Sequence, residues 1–460
     1  MGSPAGTKDK GMLMTANDPT RLSATEASAA LKAGTLTSQA LVSACLERIK
    51  ERDQDVGAWA FLDAERVLRE AREADALRAS GAPLQRLAGL PVGIKDIIDT
   101  AEYPTEYGCP VFKGNYPSTD ATIVGELKRA GAIILGKTVT TELAFFGPGK
   151  TRNPHNREHT PGGSSSGSAA AVADFQVPLA LGTQTAGSVI RPASFCGTIG
   201  FKPTFGYISR TGIMPQSPPL DTVGTYARTI DDIALFTDAI SAFDPRDGDM
   251  TSSPKPPLSA GLSTPLDRAP RFAFIISPAG AVADPEAVTA YERFASSFGA
   301  RAEVVVTQLP AEFDGALRLH RIVQFSDIAK NFGSIADKNP GTVTEKLKEA
   351  IAEGRTFSSA DIAAARAERD PLYDALRPIL INYDAILTPA APGPAPYGLS
   401  ATGNPMFNAL WTYLGMPCIS LPLLEAGGLP LGVQLVAARG NDAGLLRVAK
   451  WLYPGDGRNA

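Results

Sequence analysis

The stretch 160–203, TPGGSSSGSAAAVADFQVPLALGTQTAGSVIRPASFCGTIGFKP, constrains this chain more than any other. Two clusters of small residues, GGSSSG at 162–167 and TQTAGS at 183–188, flank an apolar segment. A flexible linker can be as rich in Gly and Ser, but it does not enclose AAAVA and VPLAL. Those runs predict a core helix over 169–173 and a strand over 177–181, which would hold both small-residue turns rigidly. Small residues let backbone approach a ligand and let successive N–H groups converge on one point. A site that stabilises a developing negative charge requires such a point.

At 460 residues the chain is long enough for a large core, or for two or three domains on length alone. Hydrophobic residues make up 44% and charged residues 20%, as in ordinary globular proteins. A net charge of −4 with no long basic block argues against nucleic-acid binding. No apolar run is long enough to span a bilayer. The four cysteines, Cys45, Cys109, Cys196 and Cys418, form no C-x-x-C pair. They are expected reduced and buried, as in a cytoplasmic protein. The N-terminal residues 1–20 lack an apolar signal region and read as a flexible leader.

Helical patterning runs through 21–80, with Ser23 and Glu26 as a capping box, Gly34 as a stop, and Ser38 and Asp63 as further caps. In the next part, 81–245, a strand over 90–94 carries Lys95 at its end. A helix over 120–130 and a buried strand over 132–135 follow. Such alternation predicts α/β architecture. Residues 251–270 are a Pro-rich surface connection. The C-terminal part, 271–460, carries strands at 272–276, 302–306, 385–387 and 418–421, a mainly helical 316–377, and a closing helix over 442–452.

The stretch 160–203 also resembles the amidase signature family, whose members use a Ser–Ser–Lys triad in place of Ser–His–Asp. The family pattern is a Gly-Gly-Ser-Ser-type cluster, a short apolar segment, then a Gly-Ser turn followed by a basic residue and proline. Here these are 162–167, Gly187-Ser188 and Arg191-Pro192, with Lys95 in GLPVGIKD as the upstream lysine. The likeness continues through FCGTIGFKPTFG and, more faintly, NALWTYLGMPCISLPL, and so covers most of the chain. It implies one α/β/α sandwich domain over 21–460 with a large mixed β-sheet. It also implies a small-molecule amide substrate and no cofactor or metal.

In roles carried over from the family, Ser188 is the nucleophile, Ser164 relays its proton and a neutral Lys95 is the base. The family also implies a cis peptide bond between Gly163 and Ser164, with Ser165 and Ser166 as supporting hydrogen-bond partners. The oxyanion hole is expected from backbone N–H groups of Thr185, Ala186, Gly187 and Ser188. Gln184 stands where many members have an acid, and arginine comes three residues after the nucleophile rather than two. Both features resemble the malonamidase branch, in which the matching arginine binds a substrate carboxylate. Arg191 is therefore a candidate for carboxylate recognition or for bracing its loop, with Gly163 and Gln184 beside it as substrate-binding candidates. A homodimer is expected from the same branch. The substrate pocket is expected to draw on 140–160 and on the region of Phe407 and Trp411.

Rival motifs carry less. GSSSG at 163–167 fits the nucleophile elbow G-x-S-x-G, but no strand precedes it and His320 is the one histidine far downstream. GAIILGKT at 131–138 fits the P-loop pattern, yet its middle residues read as strand rather than as a phosphate-wrapping loop. His155 and His159 are four apart but bracketed by Pro154 and Pro161, which argues against a helix presenting both to a metal. The predicted activity is thus amide hydrolysis, on a small or medium carboxamide such as malonamate or on an aryl or N-substituted amide. Two other classes stay open: an amidotransferase A-type subunit passing ammonia to a partner, and a binding protein on the same fold.

Overall fold

Pro91–Lys95 is buried at all five positions, as expected of a central strand covered on both faces. In the structure, a computed structural model that describes residues 18–276 and 278–455, this strand is β2 of an eleven-stranded sheet. The others are β1 (Trp59–Leu62), β3 (Ile133–Thr138), β4 (Leu179–Gln184), β5 (Ile199–Lys202), β6 (Thr222–Ala227) and β7 (Arg271–Phe274), then β8 (Glu303–Val306), β9 (Ala385–Pro389), β10 (Cys418–Ala426) and β11 (Leu429–Val436). Their order is β1-β3-β2-β4-β6-β5-β10-β11-β9-β7-β8. Parallel pairing joins β3, β2 and β4, and again β9, β7 and β8, while the strands between them run antiparallel. The fold is α/β, as the alternation of elements predicts, with the large mixed sheet that the family resemblance implies.

Local chemistry sets the helix ends. Ser23 and Glu26 form the expected capping box, and Gly34 closes that helix at φ 72°. The next helix is capped by Thr37, one residue before the expected Ser38, because it is the Thr37 side chain that accepts from Ala40 N. The short edge strand β1 escapes the helical reading of 21–80. Its four residues lie between a helix ending at Val56 and a helix capped by Asp63. β10 and β11 form a hairpin through Gly427 and Gly428, both at positive φ, the geometry of a two-residue turn that fits strand twist. Ordered structure begins earlier than the expected leader boundary. Asp18 caps a short turn over Pro19–Arg21, and Arg228 Nη2 donates to the buried Thr20 carbonyl at 3.0 Å. The rest of the expected leader, 1–17, lies outside the described residues.

One glycine brings the serine cluster to the sheet. Gly167, in the first turn of the helix Ser166–Ala173, donates its N–H to Val139 O at 3.0 Å. A Cβ there would collide with the Ala58 carbonyl and Val139 N, both backbone. Gly167→Ala should therefore destabilise the fold by ~2–3 kcal/mol through overpacking against atoms that cannot rotate away. Urea unfolding checks this, and an unchanged midpoint would show that the helix can back away from β3.

Candidate active site

Lys95 ends β2, and its side chain is fully buried. Its Nζ lies 2.7 Å from Ser164 Oγ and 2.8 Å from Thr183 Oγ1, with Thr183 O at 3.4 Å. The neighbouring Asp96 does not pair with it. Asp96 instead faces the buried Lys137 Nζ at 3.2 Å. Burial therefore pushes the Lys95 ammonium well below the ordinary lysine range, opposed weakly by the more distant Asp221. A Lys-Asp pair usually marks a solvated turn, but here both side chains are in the core.

Ser164 precedes the helix Ser166–Ala173, and the peptide bond Gly163–Ser164 is cis. Ser165 Oγ bridges the strand beside it, donating to Thr183 O and accepting from Thr183 N, both at 3.2 Å. Ser166 Oγ donates to Val139 O at 3.4 Å. These bonds fix the serine cluster against β3 and β4.

The loop after β4 has an unusual hydrogen-bond pattern. Its carbonyls are held from outside: Thr185 O by His320 Nε2 at 2.9 Å, Ala186 O by Thr412 Oγ1 at 2.8 Å, Ser188 O by Tyr226 Oη at 3.1 Å. Gly187 O accepts from Arg191 N at 3.0 Å. Meanwhile the N–H groups of Thr185, Ala186, Gly187 and Ser188, the four expected from the sequence, have no acceptor among the described residues. A backbone with its carbonyls tied away and its N–H groups free is suited to an oxyanion. Thr185 is held twice, since its hydroxyl also donates to Asp221 at 2.5 Å. Gly187 packs closely, and a Cβ there would lie 2.5 Å from Asn408 Oδ1. The Ser188 side chain is half-buried, and its hydroxyl has no hydrogen-bond partner among the described residues.

Gln184, expected beside a substrate, is fully buried and engaged inside the fold. Its Oε1 accepts from Val189 N at 2.8 Å and Ile190 N at 3.0 Å, capping the helix Ile190–Cys196, while Nε2 donates to Thr412 Oγ1 at 2.9 Å. An amide can do all three things, whereas an ionised acid here could not donate to Thr412. Gln184 thus positions the loop rather than facing a ligand. Arg191 is 1% exposed, and its Nη2 donates to Gly163 O at 2.7 Å and Thr402 Oγ1 at 3.3 Å. It braces the backbone just before Ser164, and the Gly163 carbonyl is occupied by that brace. Among the described residues no acid pairs with Arg191, and burial pulls it down to about 9.

A cavity of about 560 Å³ opens beside this loop, lined by Ala186, His320, Phe146 and Thr402 among others. Its size is that of a drug-sized ligand site. The helix Met406–Tyr413 contributes Met406 and Ala409, not Phe407 and Trp411. Residues 406 and 409 share one helical face, while 407 and 411 share another and are buried at 3% and 2% exposure. His320 is the functional neighbour that sequence reading passed over. It sits 135 residues from Thr185 in a helix with no local motif, and burial keeps it neutral, its pKa pushed down to about 4. A second cavity of about 230 Å³ is lined by Thr183, Thr185 and Asp221 among others.

The rival motifs are absorbed by structure. Lys137 of the P-loop-like run sits in β3 and donates to Ile98 O at 2.9 Å, besides pairing with Asp96. His155 Nε2 lies 2.8 Å from Cys196 O, and His159 Nδ1 lies 2.7 Å from Ala395 O. Each histidine is thus spent on a separate backbone carbonyl. All four cysteines are buried and free.

Known proteins share this architecture. The family model described as Amidase matches residues 40–446. The A subunit of the glutamyl-tRNA(Gln) amidotransferase of Salinispora arenicola is 34% identical, over 94% of this chain and 96% of that protein. Among solved structures, a crystal structure of an amidase superposes with a TM-score of 0.84 at 29% identity, covering 94% of this chain and 99% of the other. The peptide amidase from Stenotrophomonas maltophilia superposes at 0.81 with 27% identity, covering 93% and 95%. The sheet, the small-residue loop and these matches lead to one conclusion: the chain belongs to the amidase signature family and is an enzyme of the amide-cleaving type.

Proposed function

We propose that the chain hydrolyses carboxamides, with Ser188 as nucleophile, Ser164 as proton relay and Lys95 as base. The observation that carries this reading is the buried Lys95 amine, with no carboxylate partner, 2.7 Å from Ser164 Oγ. Burial favours its neutral form, which has two N–H groups and one lone pair. The N–H groups suit the hydroxyl and carbonyl of Thr183, and the lone pair then faces the Ser164 hydroxyl.

Ser188 Oγ attacks the amide carbon, and the carbonyl π pair moves onto oxygen. The oxyanion accepts from the free N–H groups of Ala186, Gly187 and Ser188, each worth roughly 3 kcal/mol to the transition state. As the C–O bond forms, the Ser188 proton passes to Ser164 Oγ and the Ser164 proton to Lys95 Nζ. Collapse breaks the C–N bond, and the proton returns from Lys95 through Ser164 to the leaving nitrogen. Water then repeats the sequence against the acyl-enzyme ester and releases the acid. Arg191 serves as a brace for the Gly163 carbonyl. In a cavity of about 560 Å³ the three-carbon malonamate is a loose fit, so a larger amide is the better candidate.

A second reading has its own support: the relatives at about a third identity are named as amidotransferase A subunits. On that reading the acyl-enzyme chemistry is the same, glutamine is the donor, and ammonia goes to a partner instead of into solution. Ammonia release from glutamine by the purified chain, with and without co-purifying proteins, separates the two. Glutamine turnover that rises at least tenfold when a partner is restored favours the amidotransferase. Equal turnover of other amides by the chain alone favours the hydrolase.

Ser188→Ala, Ser164→Ala and Lys95→Ala should each lower kcat by about 10⁴-fold or more, with far-UV CD unchanged. A Lys95→Ala enzyme within tenfold of wild type would remove lysine from the mechanism. kcat/KM should fall toward acid as Lys95 takes a proton, because only its neutral form is a base. Asp221, pushed up to about 6 by burial, titrates on the same side. The acid limb should therefore persist in Asp221→Asn, and its disappearance there would transfer the limb to Asp221. His320→Ala should reduce kcat about tenfold to a hundredfold by freeing the Thr185 carbonyl, and His320→Gln should restore part of the loss. Steady-state kinetics on matched amides reads both.

A further inference from the structure

The cavity beside the oxyanion loop has a one-sided charge. Arg318, Arg321 and Lys346 line it, and no aspartate or glutamate does. The three cations are not equivalent. Arg321 is paired with Glu353 through two bonds of 2.6 Å and lies over the Phe325 ring, so its charge is already answered. Among the described residues Lys346 has only the uncharged Ser400 carbonyl as its partner. Arg318 makes no ion pair within 4 Å among the described residues and acts on Asp361 only at longer range. Two positive charges at one cavity thus stand without a directly paired acid.

Their place in the cavity is set by burial. Ala186 is 5% exposed and adjoins the free N–H groups, so it marks the floor. Arg318 is exposed and Lys346 half-buried, so they mark the mouth. Phe146, Phe325, Leu317 and Met406 give the same cavity a hydrocarbon wall. The cavity therefore combines hydrogen-bond donors at its buried end, a hydrocarbon wall and an excess of positive charge.

We propose that this site takes amides whose far end is an anion separated from the carboxamide by a hydrocarbon spacer, and that Arg318 and Lys346 select the anion. The proposal rests on the reading of Ser188 and its loop as the reactive end. An amide with an ammonium group brings a charge for which the cavity has no acidic partner, and unpaired like charges repel. Glutamine carries such a group beside its carboxylate, so its far end has no net charge and gains less from Arg318 and Lys346 than an anion alone. Because Arg318 and Lys346 are not fully buried, their attraction is screened by salt.

Four probes test this: adipamate, hexanamide and 6-aminohexanamide, matched in length with an anionic, a neutral and a cationic end, and glutamine. Ammonia release is followed for wild type and for the double variant Arg318→Gln/Lys346→Gln, with Ser188→Ala as blank. Binding of the same probes to Ser188→Ala is measured by calorimetry. The expected result is a kcat/KM for adipamate at least tenfold above that for 6-aminohexanamide and for glutamine, carried by KM. The preference should shrink to within about threefold in the double variant and weaken in 0.5 M salt, while hexanamide kinetics change little. Calorimetry should give the same charge order. Equal kcat/KM for the three matched amides, a preference for the cationic end or for glutamine, or a preference that survives in the double variant overturns the proposal. No ammonia from wild type, with charge-ordered binding intact, sinks the hydrolase reading and keeps this one. Ammonia release with no charge order, or no binding of adipamate to Ser188→Ala, sinks this one.

Discussion

The fate of one charge organises this site: Lys95 is buried in the sheet with no carboxylate paired to it among the described residues. Taking an ammonium out of water costs several kcal/mol even after relaxation, so the group is driven toward its neutral form. The adjacent Asp96 could have prevented this, but it faces Lys137 from the neighbouring strand β3. Two lysines and one aspartate thus divide into an ion pair and an uncharged amine. The amine is left with Thr183 and Ser164, the partners that a proton acceptor needs. In the interior of β2, Lys95 would be a costly defect. At the end of the strand, beside Ser164, burial makes it a base.

The loop after β4 follows a complementary logic. Every carbonyl from Thr185 to Ser188 is occupied, by His320, Thr412, Arg191 N and Tyr226 in turn. Those partners come from four separate parts of the chain. They hold the peptide planes so that the N–H groups of the loop have no acceptor among the described residues, which costs little where solvent or a substrate can accept them. Gln184 adds a cap that an acid could supply only in part, because Thr412 Oγ1 needs a donor while it serves Ala186. The departure from the common family pattern at position 184 is therefore matched by a partner at 412. Rigid placement of dipoles before the reaction is what makes such a hole effective.

Much of this was legible before any coordinates. Alternation of helices and strands predicts α/β layering; the strand ending at Lys95 and the helix Asp442–Leu452 appear where the pattern puts them, and the helix expected over 169–173 begins three residues earlier, at Ser166. Caps at Ser23 and Asp63 follow from side chains that reach backbone within three residues. What escaped is non-local. β1 is four residues long and offers too few positions for a period to show. Phe407 and Trp411 are the conspicuous aromatics of their helix, yet hydrophobic size sent them to the core and left Met406 and Ala409 for the cavity. His320 looked like an isolated histidine because its partner is 135 residues away.

The sequence by itself determined the residue types, their order and their local geometry: two serines 24 apart on small-residue turns, a lysine after an apolar strand, an arginine three residues after the second serine. Periodicity, capping and turn chemistry act within a few residues, so they can be read along the chain. Tertiary structure alone decided which charges meet. It sent Asp96 to Lys137 and Glu353 to Arg321, and among the described residues it left Lys95, Arg318 and Lys346 without a directly paired acid. Electrostatic energy depends on separation and burial, and neither quantity is defined until the sheet has brought distant segments together.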